Sequence, residues 1–220
     1  AGNAELSSVH IGSGLTSIAE KAFLNCFMLR EVEIPAQVVS IGNKAFEKSG
    51  LVSVTFAPNS MLNTIGAGAF CECKISEITI PSSVVVIDGD EVMGGAFESN
   101  SLNQVTFQEN SELYTIGVRA FFGCPFQTIT LPQKLNSIGK MAFAATGLET
   151  VNVPASVTTL GKGVFAYCSY LTDINIEQGN TVYHDLDGIV YTLDNVTICA
   201  FPAGKNIDTY SLESTVRTIQ

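Results

Sequence analysis

Tryptophan is absent from the 220 residues, histidine occurs twice, and charged residues make up only 15%. Two distant histidines supply neither a Ser/His/Asp triad nor a histidine zinc site. Basic residues are few, 11 against 21 acidic for a net charge of −10, which argues against nucleic-acid or anionic-membrane binding. No apolar run approaches the roughly 20 residues of a membrane span. The six cysteines include no C-x-x-C pair, and the 19 glycines are spread along the chain rather than gathered into a phosphate loop. No charged-then-apolar leader is present, which fits a cytosolic chain or one already processed. What is present is apolar: 46% hydrophobic residues exclude intrinsic disorder.

Phenylalanine reveals the organisation. Of 13 in the chain, seven fall in one register: Phe23, Phe46, Phe70, Phe97, Phe121, Phe143 and Phe165, at spacings of 23, 24, 27, 24, 22 and 22 residues. Alanine precedes six of them. An Ile or Leu lies five residues before most, usually followed by Gly, as at Ile41-Gly42 and Ile138-Gly139. Five or six residues after each Phe begins an apolar-x-x-apolar-x-apolar run, from Leu29/Val32/Ile34 to Leu171/Ile174/Ile176. The last three positions of each run alternate in and out, the period of a short strand with one buried face. Pro35, Pro81, Pro132 and Pro154 close four of these strands, where a missing N–H ends the ladder. The unit reads L-x-x-V-x-I-P-x-x-V-x-x-I-G-x-x-A-F-x-x-C. One copy cannot bury its apolar columns, but stacked copies can, with parallel strands ~4.8 Å apart. The G-x-x-A-F segment has the length of about one helical turn.

The I-G-x-x-A-F-x-x-C and L-x-x-V-x-I-P blocks resemble the BspA-like leucine-rich repeats, the treponemal class, found largely in surface proteins of host-associated bacteria and some protists. The resemblance runs from Leu6 to Ile219. Tyr183 to Lys205 resembles a hairpin-bearing variant, on Asp187-Gly188-Ile189-Val190-Tyr191 and Phe201-Pro202-Ala203-Gly204-Lys205. The expected fold is an α/β-type repeat solenoid, a right-handed leucine-rich-repeat-like superhelix. It has short parallel strands on the concave side, short helical turns on the convex side and a C-terminal β-hairpin insertion near 181–205. One solenoid domain over 1–220, of about eight to nine coils, is expected. Leu6/Val9/Ile11 already reads as a strand of this type, and Val216 and Ile219 open an uncompleted unit. With no polar cap at either end, the chain is expected to be a segment of a longer protein.

Two irregularities interrupt the pattern. Between Ile87 and Phe97 the five-residue spacing becomes ten, and Asp88-Gly89-Asp90-Glu91 carries most of the extra length. These carboxylates lack EF-hand spacing and read as a protruding, solvated acidic turn rather than a calcium site. After Leu171 the next strand-like run, Ile207/Tyr210/Leu212, comes 36 residues later. The extra length fits a hairpin pairing Ile189–Tyr191 with Val196–Ala200 across Asp194-Asn195. His184, Asp185 and Asp187 then read as a turn entering that hairpin, not as metal ligands. Cys26, Cys73, Cys124 and Cys168 share one column, three residues after the repeat Phe, where a small buried apolar slot is expected. Ser49, Asn100 and Thr146 fill the intervening copies, which sets those thiols mostly two coils apart, beyond disulfide reach. Free structural thiols are the reading, with no metal and no cofactor.

The outward face of the strands is the candidate binding surface. Its residues are Ser8/His10, Glu31/Glu33, Ser53/Thr55, Glu77/Thr79, Gln104/Thr106, Thr128/Thr130, Thr150/Asn152 and Asp173/Asn175. Within it Glu31, Glu33, Thr55, Glu77, Thr79, Thr106, Thr130, Asn152, Asp173 and Asn175 are the candidate contacts. The face carries no Lys, Arg or aromatic residue, which excludes a phosphate track and weakens sugar stacking. Threonine is also simply a good strand residue, so a solvated ladder without a ligand is the plainer alternative. Basic residues at Lys21, Lys44, Arg119, Lys140 and Lys162 fall on the convex side or a rim. The resemblance implies a non-enzymatic, adhesin-like module of a cell-surface or secreted protein, attaching to host matrix or plasma proteins or to other cells. The alternatives are a rigid spacer and, less favoured, a sugar-binding module. No nucleic-acid partner and no membrane insertion of this segment are expected.

Overall fold

Apolar columns that repeat once per coil are buried only when coils stack, and the chain winds into a solenoid. A computed structural model describes residues 2–220. Seven two-residue strands form one parallel sheet: β1 (Ser17–Ile18), β3 (Ser40–Ile41), β5 (Thr64–Ile65), β7 (Val86–Ile87), β11 (Thr115–Ile116), β12 (Ser137–Ile138) and β14 (Thr159–Leu160). This is the isoleucine column of the sequence, with Ile41 opposite both Ile18 and Ile65.

Four-residue strands make a second series, in three parallel pairs: β2 (Glu31–Ile34) with β4 (Ser53–Phe56), β6 (Glu77–Ile80) with β10 (Gln104–Phe107), and β13 (Thr150–Val153) with β15 (Asp173–Ile176). Their alternation is as the sequence requires: Val32, Val54, Ile78, Val105, Val151 and Ile174 are buried, and the residues beside them face solvent. The extra residues after Ile87 form a small antiparallel pair, β8 (Gly89–Asp90) with β9 (Gly94–Gly95). At the C-terminal end β16 (Tyr183–Leu186), β17 (Ile189–Thr192), β18 (Thr197–Ala200) and β19 (Thr218–Ile219) form a four-stranded sheet. The expected hairpin is thus β17–β18, and His184 and Asp185 lie on a strand of their own rather than in a turn.

The seven register phenylalanines stack face to face through the core, with centroid separations of 5.0 to 5.8 Å and planes within 12°. Coils approach so closely that a Cβ on Gly42 would lie 2.6 Å from the backbone nitrogen of Glu20.

Four expectations fail, each for a local reason. No helix forms among the described residues, so the helical turns expected on the convex side are absent. Left-handed backbone two residues before the Phe (Lys21, Lys44, Arg119, Met141) and two after it (Asn25, Lys48, Glu72, Ser99, Ala145) breaks any helical path. The amides bond across coils instead: Phe23 N–H donates to Ala45 C=O and Phe46 N–H to Ala69 C=O, both at 2.7 Å. Second, Ser8–Ile11 has no ladder partner among the described residues, and Leu15, in the core column, is 42% exposed, so this coil does not close round the core. Third, Ile207/Tyr210/Leu212 is not a strand; Tyr210 instead packs on a satellite core of Ile189, Tyr191 and Ile198. Fourth, Thr128–Leu131 is unpaired.

Candidate recognition surface

Register sets nine of the ten candidate contacts in three strand pairs, and Thr130 lies on the unpaired segment between the second and third. Glu31 and Glu33 lie opposite Ser53 and Thr55, Glu77 and Thr79 opposite Gln104 and Thr106, and Thr150 and Asn152 opposite Asp173 and Asn175. Nine of the ten are exposed, and Asp173 is half-buried. Glu31, Glu33 and Glu77 form no ion pair among the described residues. Asn175 donates through Nδ2 to Asn152 Oδ1 at 2.9 Å, joining two coils by a side-chain amide ladder. Asp173 faces Lys205 Nζ at 3.5 Å, because the C-terminal sheet folds back onto β15.

That sheet also closes an edge. Ile174 N–H donates to Gly188 C=O at 3.0 Å, and Ile176 N–H donates to Asp185 Oδ1 at 2.8 Å. A Cβ on Gly188 would lie 2.5 Å from Asp173 Oδ1, and its φ of +70° together with Asp187 at +51° makes a tight two-residue hairpin turn. Elsewhere the long-strand series is left open. Thr128, Ile129, Thr130 and Leu131 make no backbone hydrogen bond to β10 or β13. Ile129 is half-buried, where its counterparts in the six strands are fully buried. Between this segment and β10 lies a groove of about 760 Å³, lined by Gln104–Gln108 and Thr128–Lys134. Phe126 lies at the start of this segment. It stands where neighbouring coils have Leu51, Leu102 and Leu148, and packs edge-on against Phe121 and Phe143 at 6.0 and 6.4 Å. The unpaired segment is thus the one that follows a ring rather than an aliphatic side chain in this column. Sequence reading missed this opening; the phenylalanine in a leucine column, after Pro125, was the available signal.

The cysteine column is not an apolar slot. Cys73, Cys124 and Cys168 donate through Sγ to the carbonyls of Phe46, Phe97 and Phe143 at 3.1 to 3.2 Å. Asn100 does the same with Nδ2 to Phe70 C=O, and Thr146 with Oγ1 to Phe143 C=O. The column selects a small donor, which explains why Cys, Ser, Asn and Thr alternate there. All six cysteines are free thiols. Burial, first of all, pushes Cys73 up to about 11 and Cys124 to about 12.

Other polar clusters are satisfied internally. Asp90 Oδ1 accepts from Val92 N–H at 2.7 Å, and Asp88 Oδ1 from Gly89 N–H at 2.8 Å, so both aspartates of the acidic insert serve its own turn. Val92 at its tip is 89% exposed. His10 is exposed, and His184 Nε2 lies 2.6 Å from Asn195 Oδ1. Glu47, Cys71 and Glu72 bring ligand atoms within 4.8 Å of one another. Lys44 and Lys48 pair with those carboxylates, and burial, then Glu98, pushes the Cys71 thiol up to about 12. The rim cations Lys21, Arg119 and Lys140 are paired likewise, with Glu20, Glu98 and Glu91. No helix of the described residues is long and apolar enough to cross a membrane.

The fold is similar to that of the pneumococcal vaccine antigen PcpA, at 25% identity and a TM-score of 0.64, over 93% of this chain and 46% of that one. A leucine-rich repeat protein from Eubacterium ventriosum matches at 21% identity and 0.65, over 83% and 44%. A leucine rich cell surface protein from Faecalibacterium prausnitzii matches at 22% and 0.64, over 96% and 56%. The chain therefore spans about half the length of these structures. No curated protein matches the sequence. Six copies of the BspA type leucine rich repeat region match residues 1–92 and 90–187, nearly the span of the phenylalanine ladder, and the chain belongs to that family.

Proposed function

We propose that this chain is a non-enzymatic protein-binding module of a bacterial surface or secreted protein, with an adhesin-like role in attachment to host matrix or plasma proteins or to other cells. The observation that carries the reading is the long-strand face. It presents exposed hydroxyls, amides and carboxylates, with Glu31, Glu33 and Glu77 free of cationic partners among the described residues. Repeat solenoids use such extended faces for recognition. The contacts are Glu31, Glu33, Thr55, Glu77, Thr79, Thr106, Thr130, Asn152, Asp173 and Asn175. The names of two neighbours, a vaccine antigen and a cell surface protein, support a surface location. Outward aromatics are missing from the long strands, which disfavours sugar stacking.

The test is surface-plasmon binding of the chain to immobilised matrix and plasma glycoproteins, beside the double variant Glu31→Lys/Glu33→Lys. Saturable, salt-sensitive binding lost in the double variant supports the reading. Silence across the panel, or binding indifferent to the reversal, overturns it and favours a rigid spacer.

A further inference from the structure

We infer that the groove between β10 and Thr128–Leu131 takes up one extended strand of a partner polypeptide, which completes the long-strand sheet by β-strand addition. The inference rests on the protein-binding reading above and names the partner's form. Its warrant is the set of unpaired backbone groups on both walls. Gln108 N–H reaches back to Ile80 C=O at 3.0 Å, so the alternation of a strand directs the amides of Gln104 and Thr106 to β6 and those of Val105 and Phe107 into the groove. On the far wall all four amides and carbonyls of Thr128–Leu131 lack a backbone partner among the described residues. Alternating donors and acceptors on two facing walls match a polypeptide backbone, and strand addition is an established mode of peptide capture.

Volume and side chains agree. The groove's ~760 Å³ falls within the roughly 300–1,000 Å³ of ligand sites. Its floor offers the half-buried apolar groups Phe107 and Ile129, and its rim the uncharged Gln104, Thr106, Thr128 and Thr130. The guest strand therefore alternates aliphatic with hydroxyl side chains and carries little charge. The protein covers the comparable edge of β15 with Gly188 and Asp185, and leaves this one uncovered.

The experiment is residue-resolved amide hydrogen exchange of the chain with a pool of ten-residue peptides alternating Val or Ile with Ser or Thr. Exchange at Val105, Phe107, Thr128 and Thr130 is expected to slow at least about tenfold on peptide addition, the scale of one net hydrogen bond per amide. Thr130→Pro removes a groove-facing donor that has no existing backbone partner, and weakens peptide binding about tenfold with the unfolding midpoint unchanged. Phe126→Leu restores the column residue, closes the groove and abolishes uptake. Absence of protection by any peptide of the pool overturns the inference, as does uptake unaltered by both variants. A glycoprotein that binds through Glu31 and Glu33 without protecting these amides overturns strand insertion alone. Peptide uptake with a silent glycoprotein panel overturns the host-attachment reading alone.

Discussion

The side-chain amide of Asn100 reaches back one coil and donates to the carbonyl of Phe70 at 2.6 Å, while its Oδ1 accepts from Ile75 N–H at 3.2 Å. One buried residue thus satisfies backbone groups on two coils. Asn100→Leu fits the volume but leaves Ile75 N–H unpartnered and Phe70 C=O with only the Cys73 N–H at 3.4 Å, at a cost of about 1–3 kcal/mol. Asn100→Thr keeps a donor and costs less. Urea unfolding of the two variants orders them, and equal midpoints would contradict the hydrogen-bonded column.

Phe121 lies in the middle of the ring stack, 5.4 Å from Phe97 and 5.6 Å from Phe143, with Phe126 against its edge. Phe121→Ala is expected to cost ~3–5 kcal/mol, as a large-to-small change at a fully buried site. Calorimetry measures it, and an unmoved midpoint contradicts the ladder.

Alkali is expected to destabilise the fold through its buried thiols. Burial raises Cys73 to about 11, and Cys71 and Cys124 to about 12, from an ordinary 9.0. The unfolded chain releases these protons near pH 9 and the folded chain holds them. Stability is therefore unaffected by these thiols below pH 9 and falls as pH rises from there toward 11 to 12. Urea midpoints across that window test the sign, and Cys124→Ser flattens the fall.

Asp185→Ala removes the acceptor that covers Ile176 N–H at the edge of β15. Exchange of the Ile176 amide is expected to rise about tenfold, with the Phe ladder amides unchanged. Equal rates would show that the C-terminal sheet is held to the last coil by other contacts alone.

The columns were legible in the sequence because a solenoid repeats each environment once per coil: Phe46, Ile41 and Val54 sit where the spacing put them. Hairpin β17–β18 was legible from its turn residues. The turns around each Phe were not, because left-handed φ at Lys44 or Glu72 carries no compositional mark and replaces helical bonds with inter-coil ones. The thiols of Cys73 and Cys124 suggested an apolar slot until their carbonyl partners were seen. Outward alternation was legible in the six paired long strands, but the unpaired Thr128–Leu131 was not, because periodicity treats Phe126 and the Leu of the other coils alike.

The measurement that tests the account most directly is amide hydrogen exchange on the free protein. Thr128–Leu131 and the groove-facing amides of Val105 and Phe107 are expected to exchange close to unprotected rates, while the inter-coil amides of Phe46, Phe97 and Phe121 stay slow. Protection of Thr128–Leu131 equal to that of the paired strands would contradict the account: the series would run without a break from β10 to β13, and the groove between β10 and Thr128–Leu131 would be closed.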